Sequence, residues 1–393
     1  MKKFFIAIAA LALVASAACT KVNPEEKKAE KISFSVANYV PQTKADEPKP
    51  VSVLGDFTSF KCRAFLHAKG VEVTNAGLST SAFQNFFPEA GETISPNNTT
   101  APTEWAPSHA YYWPKDASSF VNFVGWYGTD GTNAVDPTIS YAYDATEAKW
   151  TAKMNWTFST TLGQAGSNLL YADMAWRYKE NDDTPMYGVS TNVAEGVPML
   201  FHHALAQINV KAYAESKGET GMTALTAGEG TVTDGVATWT IKFDNAKITP
   251  IYANGELELT NADPGTNKTQ AWTGEWVGTD TTAGDVEVAD YTVDDVTKAT
   301  AGDVIAPSCV LPQSLTDVVL SFDLDITTTY TGNLKHHEII PVSIKFSDMG
   351  TSAWEQNHKY TYYIKVVPSQ NKVLFDPALD AAWIEVEGGE ATL

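Results

Sequence analysis

The sequence predicts an all-β protein of two tandem β-sandwich domains, and three observations lead there. Apolar and polar residues alternate with period two in many short segments. Clusters of Gly, Pro, Asn, Asp and Thr separate those segments, and no stretch after the N-terminal leader carries the apolar period of an amphipathic helix. The chain has 393 residues, 44% of them hydrophobic, which is ample for two packed cores and too much for one small sandwich.

The leader comes first. Lys2 and Lys3 precede an apolar run over 4–15 and the small residues Ser16, Ala17 and Ala18. A basic start, a short apolar core and small residues before a cut point predict a secretory signal peptide over 1–18. The run is too short to span a bilayer comfortably. Its position before Cys19 resembles a bacterial lipobox, with Ser16 where leucine is usual. That resemblance implies acylation of Cys19, and an acylated terminus would anchor the chain to a membrane. Residues 20–31, TKVNPEEKKAEK, are charged and lack an apolar stripe, so 19–31 reads as a lipidated tether.

The first folded domain is expected over 32–196. Ile32, Phe34 and Val36 share one face of an extended segment, which predicts a first strand over 32–40. Pro41, Pro48 and Pro50 then isolate it from the next strand. Further strands are expected at 51–53, 60–66, 120–127 and 168–171. The turn Glu195-Gly196-Val197-Pro198 marks the expected boundary, with the second domain over 197–393. There Ile208, Val210 and Ala212 alternate with polar residues, as do Trp239, Ile241 and Phe243. The longest alternation runs through Val318, Leu320, Phe322, Leu324 and Ile326. Val342, Ile344 and Phe346 come next, then Tyr360, Tyr362, Ile364 and Val366. Asn254-Gly255 predicts a type I′ hairpin between two short runs.

The charge balance narrows the partners. The formal net charge is -20; without Lys2 and Lys3, 25 basic residues face 47 acidic ones, or -22. Such a surface repels nucleic acid and anionic headgroups, so neither is an expected partner.

Chemistry-bearing patterns are sparse. His202-His203 and His336-His337 are adjacent pairs, and neighbours on a strand point to opposite faces. A metal site would need one histidine from each pair plus a carboxylate such as Glu338; the reading favours surface or satisfied histidines and no metal. Asp323 and Asp325 share a strand face opposite a buried row, which reads as solvated. GxSxG, HExxH and Walker A motifs are all missing from the sequence, so no catalytic residue and no cofactor is expected. Cys62 and Cys309 fall in different expected domains; they can pair in an oxidising periplasm or remain as core thiols. Asp280-Thr281-Thr282 resembles a Bacteroides O-glycosylation signal.

Several segments in order resemble the Bacteroidetes fimbrillin family. They are Ile32-Ser-Phe-Ser-Val with Thr43-Lys44-Ala45, Tyr111-Tyr112-Trp113-Pro114 before Phe120-Val-Asn-Phe-Val, and Asn168-Leu-Leu-Tyr-Ala-Asp. The stretch from Val197 to Val210, VPMLFHHALAQINV, is the most specific. Val310-Leu-Pro-Gln comes after it, then Trp354, Asn357, Tyr360 and Tyr362. The resemblance implies two transthyretin-like sandwiches and export as an outer-membrane lipoprotein. It also implies proteolysis at Lys44-Ala45, with Ile32, Phe34 and Val36 on the strand withdrawn. A strand from a neighbouring subunit then fills the groove, and the segment with Trp383, Ile384 and Val386 is the candidate donor. The family commonly carries arginine at the cut, whereas the first arginine here is Arg63, inside an expected strand. The implied function is a non-catalytic fimbrial or adhesive subunit at the cell surface. Its partners would be other subunits, the outer membrane and a host or glycan ligand. An uncleaved fimbrial anchor and a glycan-binding surface lipoprotein are the alternatives. A hydrolase would need two carboxyls facing across a cleft, about 5–10 Å apart.

Overall fold

The computed structural model describes residues 30–38, 58–68, 84–97, 104–115, 119–130, 136–144, 149–157, 167–179, 196–214, 222–226, 229–233, 237–262, 269–270, 272–277, 284–287, 302–330, 334–367, 372–378 and 391–392. Cys19, Lys44, Ala45, Trp383, Ile384, Val386, the strand expected at 51–53 and the O-glycosylation-type signal lie outside them.

The strands of the first half are β1 (Phe34–Asn38), β2 (Phe60–Ala68), β3 (Gln84–Asn85), β4 (Glu92–Pro96), β5 (Trp105–Pro107), β6 (Ser119–Asp130), β7 (Thr138–Asp144), β8 (Lys149–Thr157), β9 (Ser167–Ala172) and β10 (Met174–Tyr178). Then come β11 (Val197–His203), β12 (Ala206–Ala214), β13 (Met222–Thr226), β14 (Glu229–Thr233), β15 (Ala237–Ile251), β16 (Asn254–Ala262), β17 (Thr269–Gln270), β18 (Thr273–Val277) and β19 (Gly284–Glu287). The last are β20 (Gly302–Val310), β21 (Gln313–Ser314), β22 (Val319–Tyr330), β23 (Lys335–Lys345), β24 (Ala353–Trp354), β25 (Lys359–Val367), β26 (Lys372–Ala378) and β27 (Ala391–Thr392). A single 3-10 turn, Phe346–Met349, is the one helical element among the described residues. The chain is all-β, as its period-two patterning requires.

Strands β2, β6, β9, β11, β1, β5 and β4 pair in that order, and β4 returns to β2, so the sheet closes into a ring. The ring closes between β1 and β5 through a single pair, Phe34 with Trp105. Its interior holds Phe34, Phe60, Cys62, Phe87, Ile94, Trp105, Phe123, Met199 and Phe201. The alternate residues of β2 and β6 point outward. Phe65, Val124 and Trp126 form a second core with Trp150, Met154 and Trp156 of β8 and Leu257 and Leu259 of β16. That outer layer is the four-stranded sheet β18-β16-β8-β7.

A third core lies between the sheets β20-β12-β25-β26-β27 and β13-β14-β15-β22-β23. Here the alternations read from sequence are realised. Every second residue of β22 from Leu320 to Thr328 is buried, and Ile208, Val210, Trp239, Ile241, Phe243, Tyr360, Tyr362 and Ile364 all enter the core.

Two sequence-level placements shift. Asn254 and Gly255 do not form a hairpin: they open β16, which pairs with β8 and β18 and not with β15. A Cβ at Gly255 would sit 3.0 Å from the Trp276 ring and 3.2 Å from Leu311. The glycine therefore serves close packing rather than a left-handed turn. The expected boundary at 196–197 falls inside the first sheet, because β11 pairs with β1 and β9. The chain changes sheets at Ala204 and Leu205, where β11 hands over to β12.

Candidate functional site

The candidate site is β1 and the groove that holds it. Phe34 to Asn38 run parallel to Val197 to Phe201 of β11, while on the other side only Phe34 pairs, with Trp105 of β5. The lead-in is clamped by the Tyr111-Tyr112-Trp113 segment. The Ile32 N–H donates to the Tyr111 carbonyl (2.9 Å), and the Trp113 N–H donates to that of Glu30 (3.1 Å). Lys31 bridges to Tyr112 between them.

Side chains on one face of this segment enter the ring. Ile32 and Phe34 are fully buried, and Val36 packs at the margin of the same core. The Phe34 ring meets Phe123 at 5.4 Å, Phe60 at 6.0 Å and Phe87 at 6.4 Å between centroids, all edge to face. That is the favoured geometry for aromatic quadrupoles.

The groove's most constrained contact comes from Gly196, just before β11. Its φ is +104°, and a Cβ there would lie 2.5 Å from the backbone carbonyl carbon of Phe34. From sequence, 195–198 reads only as a turn. The glycine is needed because the backbone of β1 passes directly against it, a long-range contact with no local signature.

Glu92 braces the clamp. Its buried carboxylate accepts bonds from the Ser108 hydroxyl, the His109 N–H (3.1 Å) and the Tyr111 hydroxyl (3.3 Å). Burial alone would raise this carboxyl, but the bonds from Ser108 and His109 outweigh it and hold the pKa below the usual value. Ser108, His109 and Glu92 have the composition of a hydrolytic triad, yet His109 turns the same nitrogen, Nδ1, toward both partners. It cannot pass a proton through its ring from Ser108 to Glu92.

The remaining singled-out residues are dispersed. His202 Nε2 lies 2.8 Å from the accepting Asp173 carboxylate, and its ring stacks on Tyr171. His337 meets Asp325 at 2.8 Å, and Asn245 donates to Asp323 at 2.8 Å on the solvated face. His336 lies 4.0 Å from Glu338. Among the described residues, no three His, Cys, Asp or Glu side chains converge on one point. Cys62 and Cys309 are buried thiols in separate cores and are not joined by a disulfide, and burial pushes the Cys62 thiol well above its usual range. Arg63 sits within β2, its guanidinium over the rings of Phe65 (5.0 Å) and Tyr141 (5.4 Å).

His203 carries a pH prediction. Burial, reinforced by Lys359 and His202, lowers its pKa from 6.5 to about 3. A histidine neutral when folded takes up its proton on unfolding, so its contribution is intact above pH 6.5 and falls as pH drops toward 3. Between pH 7 and pH 5 the loss should be about 2 kcal/mol. Urea titrations of wild type and His203→Gln check this: the variant's stability should depend less on pH in that window. Parallel slopes would refute it.

Other family segments also have structural work. Asn357, at φ +63°, makes the left-handed turn into β25, and its N–H reaches the Leu205 carbonyl at 3.0 Å. Trp354 Nε1 donates to the Tyr362 hydroxyl at 2.9 Å inside the third core.

With this geometry established, comparison with known proteins is direct. A family model described as fimbrillin-like matches residues 70–378. Curated proteins yield no match. Among solved structures, a fimbrial protein from Bacteroides vulgatus is 14% identical, with 92% of this chain and 99% of that chain covered and a TM-score of 0.48. The tip fimbrial protein Mfa3 from Porphyromonas gingivalis, C-terminally truncated, is 8% identical over 86% and 95% of the two chains, with a TM-score of 0.26. A fimbrial assembly protein from Parabacteroides distasonis is 9% identical over 88% and 96%, with a TM-score of 0.26. These scores are too low to carry an argument, so the assignment rests on the family model, whose match covers most of the chain: the protein belongs to the fimbrillin-like family.

Proposed function

We propose that this protein is a non-catalytic structural or adhesive subunit of a cell-surface fimbria, and that it assembles by exchange of β1. Acylation at Cys19, after removal of residues 1–18, anchors it to the outer membrane through the tether 19–31. Cleavage at Lys44-Ala45 severs β1, and a strand from a neighbouring subunit replaces Ile32, Phe34 and Val36. The segment with Trp383, Ile384 and Val386 supplies that strand. Both folded units are transthyretin-like sandwiches in this reading.

One observation carries it: β1 fills a closed ring with its side chains while pairing along its length with β11 alone. Its loss would uncover both a row of backbone groups on β11 and an aromatic cavity. A strand of matching pattern satisfies both at once. Glycan binding has less support. Among the described residues the exposed aromatic side chains are Tyr112, in an isolated bridge to Lys31, and Tyr330, at the end of β22, and they share no sheet.

The test is limited trypsin digestion of the folded, unlipidated chain with N-terminal sequencing and size analysis. Cleavage after Lys44, release of β1 and formation of ladders is the expected result. Resistance at Lys44, or a cut protein that stays monomeric and folded, would favour the uncleaved anchor.

A further inference from the structure

Away from β1, the hairpin of β22 and β23 presents a second surface able to pair. Among the described residues, β23 closes its sheet with no strand on its far side. Residues Lys335 to Ile339 are all exposed. Of the five large apolar side chains exposed among the described residues, three belong to this hairpin: Tyr330 (42%), Leu334 (70%) and Ile339 (57%). A bare edge strand flanked by exposed apolar side chains is a pairing surface unless something blocks it. The backbone is blocked at Pro341, which has no N–H to offer; before it the charges at Lys335 and Glu338 must be matched by a partner. The open stretch is therefore 334–340, and its midpoint is His337.

We propose that this edge pairs antiparallel with the same edge of a second copy, about a two-fold axis through His337. Such an axis stands perpendicular to the sheet, so facing residues must have the same parity. The register that uses the whole stretch sets His337 against His337. It then places Leu334 opposite Ile340 and Lys335 opposite Ile339. His336 lies opposite Glu338 on both sides of the axis. Leu334 covers Ile340, which is half-buried at the rim of the third core, and the Lys335 stem lies along Ile339. His336 and Glu338, 4.0 Å apart on one face of a single chain, become a four-membered network. His337 keeps its own partner, Asp325, at 2.8 Å.

Neighbouring registers fail on the same residues. Centring on His336 sets Leu334 against Glu338. Centring on Glu338 brings two like charges together. The match is thus specific to one alignment, and it is independent of β1. This interface would join subunits side by side, whereas strand exchange would join them end to end.

The experiment uses the full chain in a Cys19→Ser background, not treated with protease, so that failure of strand exchange leaves it unaffected. Sedimentation should show a concentration-dependent dimer. His336→Glu should raise the dissociation constant about tenfold, from two repulsive cross-strand pairs, and His336→Glu with Glu338→His should restore it. His337→Cys should form a disulfide-linked dimer on mild oxidation, since equivalent residues face each other there, whereas Lys335→Cys should not. A monomer at all concentrations overturns the proposal. So does a dimer that is unaffected by His336→Glu or crosslinks better at 335 than at 337.

Discussion

Replacing Phe34 with alanine is expected to cost about 3–5 kcal/mol, the range for deleting a fully buried phenylalanine. The contacts explain the size. The ring lies in the interior of the closed sheet, edge to face with Phe60, Phe87 and Phe123, and those pairs add to the area it buries. Collapse of the surroundings would be poor, because hydrogen bonds hold the walls of the closed sheet in register. The measurement is guanidinium unfolding of the variant beside wild type, with the slope compared as well as the midpoint. A loss under about 1 kcal/mol would mean that Phe34 does not occupy the ring interior.

Gly196→Ala should cost nearly as much through a different mechanism. A φ of +104° is strained for any residue with a Cβ, and that contribution is about 1–3 kcal/mol. The new methyl would also stand 2.5 Å from the Phe34 carbonyl carbon, so β1 or β11 must move and their parallel ladder must open. The total is expected at roughly 3–5 kcal/mol. The two causes separate in protein from which residues 30–38 have been deleted, since the clash needs β1 whereas the backbone strain does not. The cost of Gly196→Ala should shrink there to the strain alone. An equal cost with and without β1 would remove the clash from the account.

How much of the fold is legible in the sequence depends on the range of the forces involved. Strand identity is a local property, so the alternation of β22 and the apolar faces of β12, β15 and β25 are readable as they stand. The inward face of β1 is readable for the same reason. Ring closure is not, because the parallel pairing of Phe34–Asn38 with Val197–Phe201 joins distant residues with no turn between them. Gly196 reads as a turn former because close approach of another backbone leaves no mark on neighbouring residues. Asn254-Gly255 fails in the opposite sense. Its composition matches a tight turn, but packing against Trp276 and Leu311 holds it in a strand. The edge of β23, open among the described residues, is hidden because Lys335 to Ile339 do not alternate between buried and exposed.

The passage of β16 into the outer layer of the first unit has an evolutionary corollary. Nine residue pairs, from Asn254 with Thr157 to Ala262 with Lys149, lace the later half of the chain to the earlier one. The halves are consequently not interchangeable parts. A recombination event that swapped everything after residue 196 for a relative's sequence would import a strand tailored to someone else's β8. The chimera's Trp150, Met154 and Trp156 would then face an unmatched surface. Descent in this lineage is expected to proceed by paired drift of β8 and β16, with the whole chain inherited as one unit.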